Sequence, residues 1–364
     1  MALRLKPLAE QVLVVTGASS GIGLVTARRA AHRGARVVLA ARNEPALARA
    51  VDDIQASGGE AAYVVADVSV EHDVERIAEV ALAEFGGFDS WVNNAGVAIY
   101  STTLQVTAED VRRLFEVDFL GVVHGSRIAA EHFRERFGGA AGAGRGGRGY
   151  AGAIVNVGST ASDRAIPLLG VYAAAKHAVK AFTDALRMDL EHEGAPVSVS
   201  LVKPACIDTP FYDNARNYLA FEAQPTPPVY APEVAADAIL ACAERPRREV
   251  FVGGGAKALS AFGHHAPALT DRALKAMYDT QQTRRPTRDG DGNLYRPLDG
   301  AERGHYRGLV LGSSAYTTAT IHRRATAAAA VGIGTALLAG ARALRRRRAA
   351  ELASERPASA AAPP

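Results

Sequence analysis

Cysteine is almost absent from this chain of 364 residues; Cys206 and Cys242 are the only two. They lack metal-ligand spacing, so neither a zinc site nor a disulfide framework is expected. No metal is expected, and the compartment is expected to be reducing. A secretory signal is not expected either. The opening "MALRLKPLAEQVLVVTG" reaches an apolar, strand-like run within a dozen residues and has no small-residue cleavage site. The expected location is therefore cytoplasmic. The net charge is +4, yet residues 323–364 alone hold eight arginines against Glu351 and Glu355, a net of +6. The rest of the chain is thus near −2. Basicity belongs to the tail, and the body has no electrostatic footprint for nucleic acid.

What is present is hydrophobic residue, 48% of the chain, enough for one large α/β domain with additional material or for two domains. From residue 11 to about 255, short apolar runs alternate with longer helix-like stretches, the pattern of βαβ units around a parallel sheet. The expected strands are Val12–Thr16, Arg36–Ala40, Ala62–Ala66, Ser90–Asn93, Ala153–Val157, Ser198–Val202 and Val250–Val252. Right-handed crossovers between them make a Rossmann-type doubly wound sheet with helices on both faces. A clear helical stripe, Val179, Phe182, Leu186 and Leu190, ends near Gly194 and Pro196. The glycine-dense insertion "GGAAGAGRGGRGYAG" at 138–152 reads as a flexible loop. Residues 1–255 then form the main domain and 256–322 a partly helical extension. The Ala/Gly-rich run 323–348, ending in an arginine cluster, is expected to be a membrane-touching helix, with a true span or a soluble tail as alternatives. Residues 349–364 have the composition of disorder.

The first strand leads into "TGASSGIG", Thr16 to Gly23. Gly17 permits a tight turn, Gly21 lets backbone approach a pyrophosphate, and Gly23 allows close helix–strand packing. Ser19, Ser20 and Ile22 complete a loop that opens on a helix N-terminus. In a strand–turn–helix context this points to a dinucleotide. The second strand closes with Ala41 and Arg42, without the acidic residue that grips an NAD ribose and repels an added phosphate. Arg42 suits that phosphate, so NADP is expected over NAD. In "ADVS", Asp67 follows a strand, beside Val68, where its carboxylate is placed to accept from an adenine amino group. "NNAG" ends the fourth strand, with Asn94, Ala95 and Gly96 beside the cofactor ribose.

Tyr172 and Lys176 stand at i and i+4, on one helix face, thirteen residues after Ser159. Alone, such a pair reads better as a surface tyrosine beside a solvated lysine. Taken together, "TGASSGIG", "NNAG", Ser159 and "YAAAK" resemble the short-chain dehydrogenase/reductase family over about residues 8–255. The resemblance implies that Tyr172 shuttles the proton, that Ser159 holds the substrate oxygen, and that Lys176 favours the phenolate and holds the nicotinamide ribose. A free phenol titrates near about 10, and a neighbouring ammonium lowers that value. In "KPACIDTP", Pro204, Ile207 and Thr209 match the segment that contacts the nicotinamide carboxamide, with Ala205 in place of a glycine. One departure stands out: in "EVDFLG", Asp118 occupies the place where the family carries an asparagine that binds a relay water. An ionised Asp118 is expected to attract Lys176.

The resemblance also implies a substrate lid at residues 211–230. Its aromatics, Phe211, Tyr212, Tyr218, Phe221 and Tyr230, together with Ile99, Tyr100, Ile166 and Leu168, favour a bulky, mostly apolar alcohol or ketone. Packing of those aromatics against the extension is the alternative. The expected protein is an NADP-dependent, homo-oligomeric oxidoreductase acting on a small-molecule alcohol or ketone. A non-catalytic NADP-binding protein and a sugar-nucleotide epimerase are the rival readings.

Overall fold

The computed structural model describes residues 3–138, 149–287, 290–322 and 326. Seven strands form its central sheet: β1 (Val12–Thr16), β2 (Arg36–Ala41), β3 (Ala61–Val65), β4 (Ser90–Asn93), β5 (Gly152–Val157), β6 (Val197–Pro204) and β7 (Glu249–Val252). Their order is β7-β6-β5-β4-β1-β2-β3, and every pairing is parallel. The central strands have helices on both faces, so they read as unbroken apolar runs; every residue of β1 is buried. β6 extends from Val197 to Pro204, beyond the expected Ser198–Val202, because it is paired on one edge by β5 and on the other by β7.

The order reverses between β1 and β4, where a crevice opens at the carboxyl ends of the strands. Helices α1 (Gly21–His32), α2 (Glu44–Ala56), α3 (Glu71–Phe85), α4 (Ala108–Phe115), α5 (Gly121–Phe137), α6 (Gly170–His192) and α7 (Pro232–Glu244) make the crossovers. Local chemistry sets their ends. The Asn43 side chain accepts from Ala46 N–H to cap α2, and Thr107 does the same for Asp110 N–H at α4. A left-handed Gly86 closes α3.

A buried polar network locks the sheet beneath the crevice. Asn93 accepts from Trp91 Nε1 at 2.8 Å and donates to Ser126 Oγ at 3.1 Å and to Asn156 Oδ1 at 2.8 Å, while Asn156 donates to Thr183 Oγ1 at 2.9 Å. α5 comes this close only because residue 125 is glycine; a Cβ there would stand 2.2 Å from Asn93 Oδ1.

The chain divides into two compact units, Met1–Thr317 and Thr318–Pro364. Residues 256–317 therefore belong to the unit that holds the sheet. They supply α8 (Gly254–His265), α9 (Pro267–Ala276), a strand Gln282–Pro286 paired antiparallel with Phe221–Ala223, and a strand Val310–Leu311 paired parallel with Val229–Tyr230. Residues 139–148 of the glycine-rich insertion, nearly all of the 323–348 run and the 349–364 tail lie outside the described residues. Among the described residues, no helix is long and apolar enough to cross a membrane.

Replacing Gly125 by alanine should break the Asn93 network and lower stability by about 2–4 kcal/mol, the sum of overpacking and an unpaired buried amide. The urea midpoint of the full chain measures it, and an unchanged midpoint would show the network to be dispensable.

Candidate active site

β1 ends at Thr16, and its hydroxyl joins the first strand to the fourth: Oγ1 accepts from Asn94 N–H at 3.0 Å and Ala95 N–H at 3.1 Å. Asn94 Nδ2 adds a bond to Thr16 O at 3.0 Å. The turn that follows needs its glycines. Gly17 has φ +65°, and a Cβ on it would lie 2.7 Å from Ala95 Cα; at Gly23 a Cβ would lie 2.3 Å from Gly17 O. Ser20, the N-cap of α1, makes no side-chain cap bond; the first N–H of the helix, that of Gly21, donates to Ala301 O at 2.8 Å instead. Gly17, Ser19, Ser20, Gly21 and Ile22 line the cleft, whereas Thr16 and Gly23 shape it from behind.

At the far end of the cleft stand Arg42, Asp67 and Val68. Two groups there are already engaged. Arg42 donates to the Asn293 and Leu294 carbonyls of the extension. The Asp67 carboxylate accepts from Arg113 Nη2 at 2.5 Å and from Ser69 N–H and Oγ–H at 3.0 and 2.7 Å. Burial pushes the Asp67 carboxyl up, but Arg113 and Ser69 outweigh it and leave it below the ordinary range. Asp67 was expected to accept from adenine; in the structure its carboxylate lines the cleft and already accepts three hydrogen bonds, from Arg113 and Ser69, of the about four that a carboxylate can take. Sequence reasoning missed Arg113, because nothing local says that a helical arginine of α4 reaches across to the loop after β3.

At the near end, Ser159 follows β5 and caps a short turn, with its Oγ accepting from Ala161 N–H at 3.1 Å. The Tyr172 phenol and Lys176 ammonium share one face of α6, with Nζ 5.5 Å from the ring centroid. Asp118 lies in a single π-helical turn, Glu116–Leu120, between α4 and α5, where Gly121 N–H reaches Glu116 O. Its Oδ1 accepts from Val97 N–H at 2.7 Å, and its Oδ2 is 3.0 Å from Lys176 Nζ. Both partners of this pair are buried. Asp118 itself does not line the cleft; its partner Lys176 does.

The electrostatics follow from this burial. Desolvation pushes the Asp118 carboxyl up against the pull of Lys176. It pushes the Lys176 ammonium down, but Asp118 and Tyr172 outweigh it and leave the ammonium above its ordinary value. For Tyr172 the expected lowering is reversed in the free chain: burial raises the phenol, Lys176 and Ser159 lower it less, and Asp118 raises it further. The pull of Lys176 is present but partly neutralised by its carboxylate partner.

These groups open on one cavity of about 470 Å³ that runs from Arg42 past the glycine loop to Ser159 and Tyr172. Asn94, Ala95, Gly96, Pro204, Ile207 and Thr209 line its middle. Of the expected substrate-end residues, Tyr100, Ile166, Phe211 and Tyr212 line it; Ile99, Leu168, Tyr218, Phe221 and Tyr230 do not. Tyr218 instead donates to Asp110 Oδ2 at 2.7 Å, and Tyr230 packs under Gly253. Leu259, Leu274 and Met277 of the extension complete the apolar wall. Their helical pattern is visible in the sequence, but not the surface they cover.

A cleft bounded by a positive-φ glycine turn, with a helix N-terminus and a Ser–Tyr–Lys set, fits a nicotinamide dinucleotide. Comparison with known proteins agrees. The short chain dehydrogenase family model matches residues 11–219. An uncharacterized oxidoreductase of Bacillus subtilis, YxnA, is 44% identical over 337 residues, 91% of each chain. A 3beta-hydroxysteroid dehydrogenase of Eggerthella lenta is 34% identical over 59% of this chain and 76% of its own. Among solved structures, a short chain dehydrogenase/reductase from Burkholderia phymatum in complex with NAD superposes with a TM-score of 0.62 at 29% identity, covering 79% of this chain and 99% of that one. An alcohol dehydrogenase from the archaeon Thermococcus sibiricus, complexed with 5-hydroxy-NADP, does so at 0.55 and 26% identity, over 66% and 95%.

Asp118→Asn removes a charge that raises the Tyr172 phenol, so Tyr172 should ionise at lower pH. Ultraviolet difference absorbance of tyrosinate, with a Tyr172→Phe protein as reference, reads the midpoint; no movement would mean that Asp118 does not act on Tyr172.

Proposed function

The chain belongs to the short-chain dehydrogenase/reductase family and is an NAD(P)-dependent oxidoreductase acting on CH–OH groups, and we propose that it interconverts a bulky, largely apolar secondary alcohol with its ketone, using NADP. The observation that carries this reading is the meeting of Ser159, Tyr172 and Lys176 at one end of a cavity walled by Phe211, Tyr212, Leu259 and Met277. The likeness to a hydroxysteroid dehydrogenase supports a ring-bearing substrate.

Bound in the cleft, the nicotinamide dinucleotide supplies or accepts the hydride. The chain handles the proton. In reduction, the Tyr172 hydroxyl gives its proton to the carbonyl oxygen, and the Ser159 hydroxyl donates a hydrogen bond to the same atom as charge develops there. The Lys176 ammonium stabilises the phenolate that remains, each pKa unit being worth about 1.4 kcal/mol. Asp118 keeps Lys176 charged and in place. In oxidation the Tyr172 phenolate takes the alcohol proton instead. The apolar wall excludes water from the exchange.

The preference for NADP rests on Arg42 and on the lack of an acidic residue at the end of β2. With two N–H groups held by the Asn293 and Leu294 carbonyls, the guanidinium is fixed as a cation at the rim of the cleft. Self-association into a homo-oligomer is part of the same proposal, and membrane contact through 325–348 would add an anchor without touching the chemistry.

Tyr172→Phe should lower ketone turnover by about 10²–10⁴-fold with NADPH affinity changed only severalfold; wild-type turnover would refute the proton assignment. Binding without turnover of any aromatic or alicyclic ketone by the wild type would favour the non-catalytic reading. Arg42→Ala should reduce the NADPH-to-NADH affinity ratio by about tenfold or more, read by nicotinamide fluorescence titration; a ratio that stays put would remove Arg42 as the selector.

A further inference from the structure

The extension does more than wall the substrate end. Residues 291–305 cross the whole nucleotide end of the cleft and are fastened along their length. At one side, Asn293 N–H donates to Asn214 O at 2.7 Å, and Gly292, at φ +56°, lies so close that a Cβ would stand 2.3 Å from the same oxygen. Leu294 is buried in the main core. Its carbonyl accepts from both Arg42 and Arg113, each at 3.2 Å. The Tyr295 hydroxyl donates to Asp110 Oδ1 at 2.6 Å, and Leu298 O accepts from Asn43 Nδ2 at 2.7 Å. Gly300 then rests on the glycine loop, where a Cβ would be 2.1 Å from Ser19 O, and Ala301 O takes the Gly21 N–H at 2.8 Å. At the other side His305 meets Asp213 of the lid at 3.1 Å.

Asn293, Pro297 and Leu298 line the same cavity as Ser19, Arg42 and Asp67. Asn293 Oδ1 is buried there with no hydrogen-bond partner among the described residues. The neighbouring acceptor, Asp67, is already bound by Arg113 and Ser69. An asparagine amide offers one acceptor and two donors, the complement of the amino and ring-nitrogen edge of adenine. A buried amide oxygen without a partner, beside a carboxylate that already accepts three bonds, is a group left for a ligand.

We propose that residues 291–305 complete the dinucleotide site as its outer wall: the Asn293 amide takes the adenine edge, and the segment swings aside for the dinucleotide to enter or leave. The proposal rests on the oxidoreductase reading. Within the wall Leu294 alone is deeply buried; the remaining fasteners are hydrogen bonds and the part-exposed ion pairs Glu302–Arg28, Asp291–Arg216 and Arg303–Glu233, and such pairs contribute little, so the wall can open. Asp110 couples the wall to the substrate lid, since the same carboxylate holds Tyr295 through one oxygen and Tyr218 and Arg216 through the other. Release at the nucleotide end therefore loosens the lid.

The test uses the full chain with NADH or NADPH, whichever binds more tightly, and the analogue carrying hypoxanthine in place of adenine. Nicotinamide fluorescence gives affinities and, in stopped flow, rates. The wild type should bind the adenine form about tenfold more tightly, and Asn293→Ala should abolish that preference. Gly300→Val, which forces the wall off Ser19, should raise both association and dissociation rates by about tenfold. Should that variant not fold, Tyr295→Phe, which frees the wall from Asp110, is expected to raise both rates severalfold. A preference that survives Asn293→Ala, unchanged rates in a folded wall variant, or a rise in dissociation alone would overturn the proposal. Failure of the wild type to bind either dinucleotide would instead overturn the oxidoreductase reading and the wall with it.

Discussion

Burial beneath a nucleotide cleft disfavours the charged form of a lysine ammonium, and an opposite charge brought to it offsets that cost. Lys176 has that charge in Asp118, 3.0 Å away and fully buried, and much of the site is arranged around the pair. The π turn between α4 and α5 presents the carboxylate. Val97 N–H, just past the tip of β4, holds its second oxygen. Gly96 leaves the room: a Cβ there would lie 3.3 Å from Asp118 Oδ2 and 3.4 Å from Lys176 Nζ. Such a pair adds little net stability once its desolvation is counted. Its effect is on Tyr172: burial holds that phenol above its ordinary value in the free chain, Lys176 pulls it down, and Asp118 offsets part of that pull.

The parallel sheet brings the remaining parts together. All seven strands point the same way, so every loop that carries a functional side chain opens at one edge, and the reversal between β1 and β4 makes the crevice. The extension closes that crevice with three pieces. α8 and α9 wall the substrate end, the strand Gln282–Pro286 widens the lid by pairing with Phe221–Ala223, and residues 291–305 cover the nucleotide end. An oxidoreductase with a standard sheet thereby gains a mostly apolar cavity that carries Arg42 at one end and Lys176 at the other.

Much of the fold was legible because the signals were local. β1 and β4 match their expected bounds, and the other five strands overlap theirs, since buried parallel strands must be short apolar runs between helical stretches. Tyr172 and Lys176 share a helix face by their spacing alone. The lid was harder to read. Its aromatics carry no mark of which way they face, and Tyr218 and Tyr230 turned to Asp110 and Gly253 rather than to the cavity. Arg42 was found at the end of β2 as its position implied, but its two carbonyl partners come from residues about 250 positions later, beyond the reach of any periodicity.

The sequence by itself therefore determined the elements and the chemistry they carry: alternation set the doubly wound sheet, glycine positions set the nucleotide turn, and a four-residue spacing set the tyrosine beside the lysine. These depend on steric and solvation preferences that act over a few residues. Tertiary structure decided which charges meet and which surfaces are covered. Asp118 came to Lys176, Arg113 filled Asp67, and residues 291–305 settled on the glycine loop only once distant segments were brought together, because pairing and burial are properties of neighbours in space and the chain order does not encode them directly.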